Sequence, residues 1–326
     1  MIMRNAIDAA VELSVVASFT RLGPALRRRL YNWEDPKPGS LNGRTALVTG
    51  PTSGLGRAAV DDLARLGARV VLVGRSADRL ARVRDDLVAA HGGDRFPIVV
   101  ADMGSLASVR EAVAEVLATE TRLDIVVDNA GAIFTERTVG PDGIEATLAV
   151  LVVGPFTLIG GLLPLLRATP AARVIATTSG GQYTQALDLD DLQSDADGYS
   201  GALAYARAKR AQVSLIREWA RRLRSDDITF CAMHPGWADT PGLADTLPGF
   251  YKLMRPLLRT PSEGAATVSW LASTPDIGRF SGKLVLDRRE RPFDRVPWTV
   301  VSAADRRRLW DQVVALSGVA DPARSA

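Results

Sequence analysis

Short apolar runs alternate with longer stretches of helical period along most of the chain. Runs at 45–48, 68–73, 97–101, 123–127, 173–177 and 228–233 are rich in Val, Ile and Leu and predict six strands. Between them, 57–66, 77–90, 105–119, 143–166 and 203–223 carry apolar residues at helical spacing and predict five helices. The second half of 143–166 is apolar on all sides, which predicts a buried helix; Pro155 and Pro164 are expected to kink it. Strands that are apolar throughout and separated by helices pair in parallel and are covered on both faces. Right-handed crossovers then give an α/β fold with one doubly wound parallel sheet. A breaker-rich hinge at Pro36, Pro38, Gly39 and Gly43 divides this region from what precedes it. The expected organisation is a helical arm over 1–42, one domain over 43–290, and a second helical arm over 291–326. Ser302 is the expected N-cap of that last arm, which carries Leu309, Trp310 and Val313.

Composition narrows the chemistry. Of 326 residues, 47% are hydrophobic, ample for a full core, and the net charge of +3 gives no reason to expect nucleic acid as a partner. Cys231 is the only cysteine, so no intrachain disulfide forms, which suits a reducing, cytoplasmic setting. With only His91 and His234, a zinc site built on several His and Cys is excluded, and no G-x-S-x-G elbow accompanies either histidine. The stretch 6–19 is apolar but broken by Asp8 and Glu12, too short to span a membrane and without a signal-peptide cleavage pattern. It reads as an amphipathic helix packed on the protein body or a partner subunit. The alternative is an arm that lies on an anionic membrane surface, helped by Arg21 and Arg27-Arg28-Arg29.

The first strand runs into Thr49-Gly50-Pro51-Thr52-Ser53-Gly54-Leu55-Gly56. Glycines there allow a tight turn and a close approach of backbone N–H groups to a pyrophosphate, and the helix that follows offers its positive end. In a strand–turn–helix context this predicts a Rossmann-type dinucleotide site. The second strand ends in Gly74-Arg75-Ser76, with an Arg for a 2′-phosphate and no carboxylate for a ribose 2′-hydroxyl, so NADP(H) is favoured over NAD(H).

Tyr205 and Lys209 stand four residues apart on a predicted helix and therefore share a face. A phenol ordinarily ionises near pH ~10. A nearby ammonium and an oxidised nicotinamide favour the phenolate, which brings proton exchange with an alcohol or carbonyl towards neutral pH.

With both motifs, the chain from Arg44 to about Pro292 resembles the short-chain dehydrogenase/reductase family. The glycine turn matches that family's T-G-x-x-x-G-x-G, and Asp128-Asn129-Ala130-Gly131 matches N-N-A-G apart from its first residue. A narrower likeness, carried by Ser179-Gly180-Gly181, 187–193, 205–213 and 233–242, is to the retinol-dehydrogenase-like branch and its SDR family member 12 type. The resemblance implies a hydride transfer in which Ser179 holds the substrate oxygen and Tyr205 exchanges its proton. Lys209 would lower the Tyr pKa and bond the nicotinamide ribose. It implies cofactor contacts at Thr49, Gly50, Thr52, Ser53, Gly54, Leu55, Gly56 and Arg75. Further contacts are implied at Asp102 and Met103, at Asn129, Ala130 and Gly131, at Tyr205 and Lys209, and at Pro235, Gly236, Ala238 and Thr240. No metal is implied.

One position departs from the pattern. Where the family carries Asn in the helix before the fifth strand, to hold a water that links Lys to solvent, this chain has Leu151. The proton takes another route, turnover is slow, or the protein binds cofactor without catalysis as a sensor or scaffold. The intact Ser, Tyr and Lys favour the enzyme. Leu243, Leu247, Phe250, Tyr251, Leu253, Met254, Leu257 and Leu258 fall where the family has a lid, which implies an apolar aldehyde, ketone or alcohol; the other reading is plain packing. Thr260 and Glu263 predict a capping box. His234 is expected to make a structural hydrogen bond, and Cys231 to be an inert buried thiol. A homo-oligomer remains open.

Overall fold

A computed structural model describes residues 2–195 and 198–323; residues 1 and 324–326 of the two expected arms lie outside the described residues. Eight strands form one sheet: β1 (Thr45–Thr49), β2 (Arg69–Gly74), β3 (Ile98–Val100), β4 (Ile125–Asp128), β5 (Ala172–Thr177), β6 (Ile228–Met233), β7 (Leu284–Leu286) and β8 (Arg289–Arg291). Their order is β3-β2-β1-β4-β5-β6-β7-β8, with all neighbours parallel except β7 and β8. The six expected strands are present within a few residues. The last two were not expected: each is three residues long, and β8 reads Arg-Glu-Arg, which carries no apolar signal.

Period-two alternation splits the core. Leu47, Val71, Val126, Val174 and Phe230 face helices Leu106–Thr119, Gly154–Ala168, Gly201–Arg222 and Ala303–Ser317, where Trp219, Trp310 and Phe156 pack edge to face. Val48, Leu72, Ile125, Ile175 and Cys231 face helices Gly54–Arg65, Ala77–His91 and Pro261–Ser273 on the other side. Ser302 caps its helix through Asp305 N–H, and Thr260 and Glu263 form the full capping box.

The expected long buried helix is continuous in course but not in hydrogen bonding. Ala149–Val153 forms a π turn, and the α-helix resumes at Gly154. Pro155 has no N–H for the carbonyl four residues back, that of Leu151, and the wider turn absorbs the mismatch. By length and composition 146–168 would suffice to cross a membrane, but it is largely buried between the sheet and neighbouring helices.

The N-terminal arm forms helices Ile2–Leu13, Val15–Phe19 and Leu22–Tyr31, folded onto the body. Asp8 and Glu12, the charges that interrupt its apolar run, are the anchors. Arg27 is fully buried and bonds Asp8 at 2.7 Å, Glu12 at 2.7 Å and Asp287 at 2.6 Å. Arg291 adds a 3.0 Å pair to Asp8, and Arg295 pairs with Glu12. Asp287 and Arg288 form the β7–β8 turn, both at positive φ (52° and 63°). Such backbone is costly for non-glycine residues, and here Arg27 and Arg259 hold the Asp287 carboxylate in place.

Candidate active site

β1 pairs with β2 on one side and β4 on the other, so the strand order reverses between β1 and β4. Ligands of open α/β sheets bind at the carboxyl ends of strands at such a reversal. The glycine turn leaves β1 there, and Asn129-Ala130-Gly131 leaves β4 beside it. Thr49 Oγ1 accepts from the N–H groups of Asn129 and Ala130 at 2.9 Å each, and Asn129 Nδ2 donates to the Thr49 carbonyl at 3.1 Å. A Cβ on Gly56 would lie 2.0 Å from the Gly50 carbonyl oxygen, so the turn closes only with glycine there. Ser53 is the N-cap of helix Gly54–Arg65 but makes no side-chain cap bond, leaving the first-turn N–H groups without that partner. This cradle fits the pyrophosphate of a dinucleotide. Thr240 lies against Gly54, with Cγ2 3.3 Å from where a Cβ would be.

Other expected cofactor residues line the same edge. Thr52 is half-buried beside the turn. Arg75, at the end of β2, is exposed and forms no ion pair among the described residues. Asp102 is exposed and accepts from Gly104 N–H at 2.9 Å, and Met103 is buried beside it. The side chain of Leu55 points elsewhere: with Ala238 it packs over Gly264, leaving only its backbone for a ligand.

Ser179 follows β5 and caps the short turn Gly180–Tyr183, which lies over Ala206 on helix Gly201–Arg222. That contact brings Ser179 to Tyr205. Burial pushes the Tyr205 phenol up, and the Ser179 hydroxyl offsets part of the rise. Lys209 Nζ lies 5.9 Å from the Tyr205 ring centroid. It donates to the Thr177 carbonyl at 2.7 Å and to Gln212 Oε1 at 3.1 Å. Gln212 Nε2 in turn donates to Asp128 Oδ2 at 2.8 Å. Burial pulls the Lys209 ammonium down to about 8 against the attraction of Asp128, and pushes the Asp128 carboxyl up to about 6 against that of Lys209.

Leu151 lies in the π turn, fully buried. Its Cδ2 comes within 3.0 Å of where a Cβ on Gly131 would be, so the bare Gly131 makes room for it.

Pro235 and Gly236 follow β6. Gly236 has φ +73°, and a Cβ there would meet Arg259 Nε at 2.2 Å and the Phe19 carbonyl at 2.6 Å. Its bareness therefore admits the arm. Phe19 O accepts from Trp237 N–H at 2.7 Å and Arg259 Nε at 3.1 Å, and the Phe19 ring packs on His234 with centroids 4.3 Å apart. His234 Nδ1 accepts from Gly236 N–H at 2.8 Å, and burial lowers its pKa to about 3. It is a neutral structural group. Burial likewise raises the Cys231 thiol to about 12, which leaves it unreactive. Beyond Thr240 come helices Pro241–Thr246 and Pro248–Met254, and Tyr251 Oη ties the second back by donating to Asp239 Oδ1 at 2.9 Å. Leu258 is buried and Phe250 packs edge-on to Trp237, whereas Leu247 and Leu253 are exposed. Sequence reasoning missed Thr177, Gln212, Phe19 and Arg259; the carboxylate at 128, visible as a departure from N-N-A-G, was the one available signal.

The short chain dehydrogenase family profile matches residues 44–248. Dehydrogenase/reductase SDR family member 12 of Bos taurus is 36% identical over 251 residues, 77% of this chain and 78% of its own length. Retinol dehydrogenase 14 of Mus musculus is 34% identical over 337 residues, covering 95% of this chain and 99% of its own. A solved short chain dehydrogenase of Escherichia coli CFT073, complexed with NADPH, superposes with a TM-score of 0.65 at 25% identity, covering 78% of this chain and all of its own. Fold, glycine turn and relatives agree: the chain belongs to the short-chain dehydrogenase/reductase family and is an NAD(P)-dependent oxidoreductase acting on CH–OH groups.

Proposed function

We propose that this enzyme interconverts an apolar aldehyde or ketone and its alcohol with NADP(H). The observation that carries the reading is the convergence of Ser179, Tyr205 and Lys209 at the sheet edge where the glycine turn opens. Bound NADPH supplies the hydride. Thr49 to Gly56 and Asn129 to Gly131 hold the dinucleotide, and Asp102 and Met103 flank the adenine. Arg75 pairs with the 2′-phosphate. Pro235, Gly236, Ala238 and Thr240 position the nicotinamide end. Ser179 holds the substrate oxygen, and Tyr205 gives it a proton during reduction and takes one during oxidation. Lys209 favours the phenolate and bonds the ribose. The apolar helices after Thr240, with Leu247 and Leu253 exposed, support an apolar substrate.

The arm supports contact with a cytoplasmic membrane surface. Met3, Ile7, Leu13, Val15, Val16 and Leu22 are exposed beside Arg4, Arg21 and Arg29, a combination suited to an anionic interface.

The deciding experiment follows NADPH oxidation over a panel of apolar aldehydes and ketones, native against Tyr205→Phe. The variant is expected to lose about 10²–10⁴-fold in turnover. Turnover within ten-fold of native would overturn the Tyr-centred reading.

A further inference from the structure

Leu151 offers Lys209 no polar atom, yet the ammonium is held from two sides. Its second acceptor, Gln212 Oε1, belongs to an amide whose other end is also committed, with Nε2 on Asp128 Oδ2. Lys209 is 3% exposed, Gln212 5% and Asp128 3%. A buried carboxylate is costly unless something compensates it, and Asp128 Oδ1 has no side-chain or backbone partner among the described residues. Its packing is therefore poorly satisfied for a purely structural residue. What it faces is Lys209: the Gln212 amide lies between them with its oxygen towards the ammonium and its nitrogen towards the carboxylate.

We propose that Asp128, acting through Gln212, is a positioning residue of the active site: the pair braces Lys209 Nζ beneath Tyr205 and supplies its counter-charge, where the family pattern relies on an Asn at position 151. The inference rests on the role given above to Tyr205 and Lys209. Asp128 comes from β4, and Lys209, Gln212 and Tyr205 from helix Gly201–Arg222. Among the described residues, Asp128 and Lys209 are the charged groups that face one another, and Tyr205 is the other titratable side chain beside the ammonium.

The test compares the native chain, Asp128→Asn, Gln212→Leu and Tyr205→Phe. Asp128→Asn keeps an acceptor for Gln212 and removes the charge; Gln212→Leu keeps the charge and removes the bridge. Two quantities are read. One is turnover at pH 8 on the panel carbonyl reduced fastest, with KM for NADPH. The other is the pH midpoint of the Tyr205 phenolate absorbance in NADP⁺-saturated protein, taken as the difference from Tyr205→Phe. Both variants are expected to lose about ten-fold in turnover, with KM for NADPH within about two-fold, and to move the phenolate midpoint up by about one pH unit. An unmoved midpoint and native turnover in either folded variant, with Tyr205→Phe inactive, would overturn the brace alone. An active Tyr205→Phe would instead remove the reading on which the brace rests. Melting temperatures establish which variants are folded, and a folded Gln212→Leu decides the matter if Asp128→Asn does not fold.

Discussion

Replacing Asp128 by Asn should make the protein more stable at pH 8. The carboxyl is pushed from 3.8 to about 6, a shift of about two units, so its ionised form costs the folded state ~3 kcal/mol. Asn retains the bond from Gln212 but places a buried Nδ2 where Oδ1 has no partner, at a cost of about 1–2 kcal/mol. The net expectation is a gain of about 1–2 kcal/mol. The pH dependence follows from the sign. A carboxyl whose folded pKa lies above its unfolded value penalises folding fully above about pH 6 and not at all below its unfolded pKa, near 3.9. Urea denaturation of both proteins at pH 8 and at pH 4 measures this directly. Asp128→Asn should unfold at higher urea at pH 8, and the advantage should vanish or reverse at pH 4. An Asp128→Asn protein less stable than native at pH 8 would refute the reasoning, because the ionised brace would then be a net source of stability.

Arg75→Ala should weaken NADPH binding about ten- to hundred-fold and leave NADH within about two-fold, measured by fluorescence titration; equal losses for both would remove Arg75 from the 2′-phosphate. Gly236→Ala drives a methyl into Arg259 and the Phe19 carbonyl at positive φ, and should cost about 3 kcal/mol or more in chemical denaturation; a cost below about 1 kcal/mol would mean the arm yields easily. Paired Leu13→Glu and Leu22→Glu, both at exposed sites, should cut sedimentation with anionic vesicles at least ten-fold while leaving the melting temperature within about 2 °C; unchanged sedimentation would exclude the arm as a membrane contact.

The parts legible in the sequence were those written in local pattern. Six strands announced themselves because each is apolar on both faces, and Tyr205 and Lys209 because helical spacing puts them on one side. What stayed hidden depends on residues distant in the chain. Gln212 looked like any polar position on a helix until β4 brought Asp128 against it. Asp8 and Glu12 read as flaws in an apolar arm, and only Arg27, Arg291 and Arg295 show them to be its anchors. Gly236 matched a cofactor segment by motif, yet its bareness answers to Phe19 and Arg259. β7 escaped because its apolar run is only Leu284-Val285-Leu286, against the five residues at 97–101 that announced the equally short β3, and β8 because Arg-Glu-Arg carries no apolar signal.

The β7–β8 turn also sets a timetable for synthesis. Arg27 and the Asp287 that neutralises it are separated by 260 residues. At about 5–20 residues per second on the ribosome, the arm waits roughly 13–50 s for its partner to emerge. Phe19 is without its partners only until residues 237 and 259 emerge, and Arg27 still awaits Asp287 after that. The last strands to be made are the ones that fasten the N-terminal helices down.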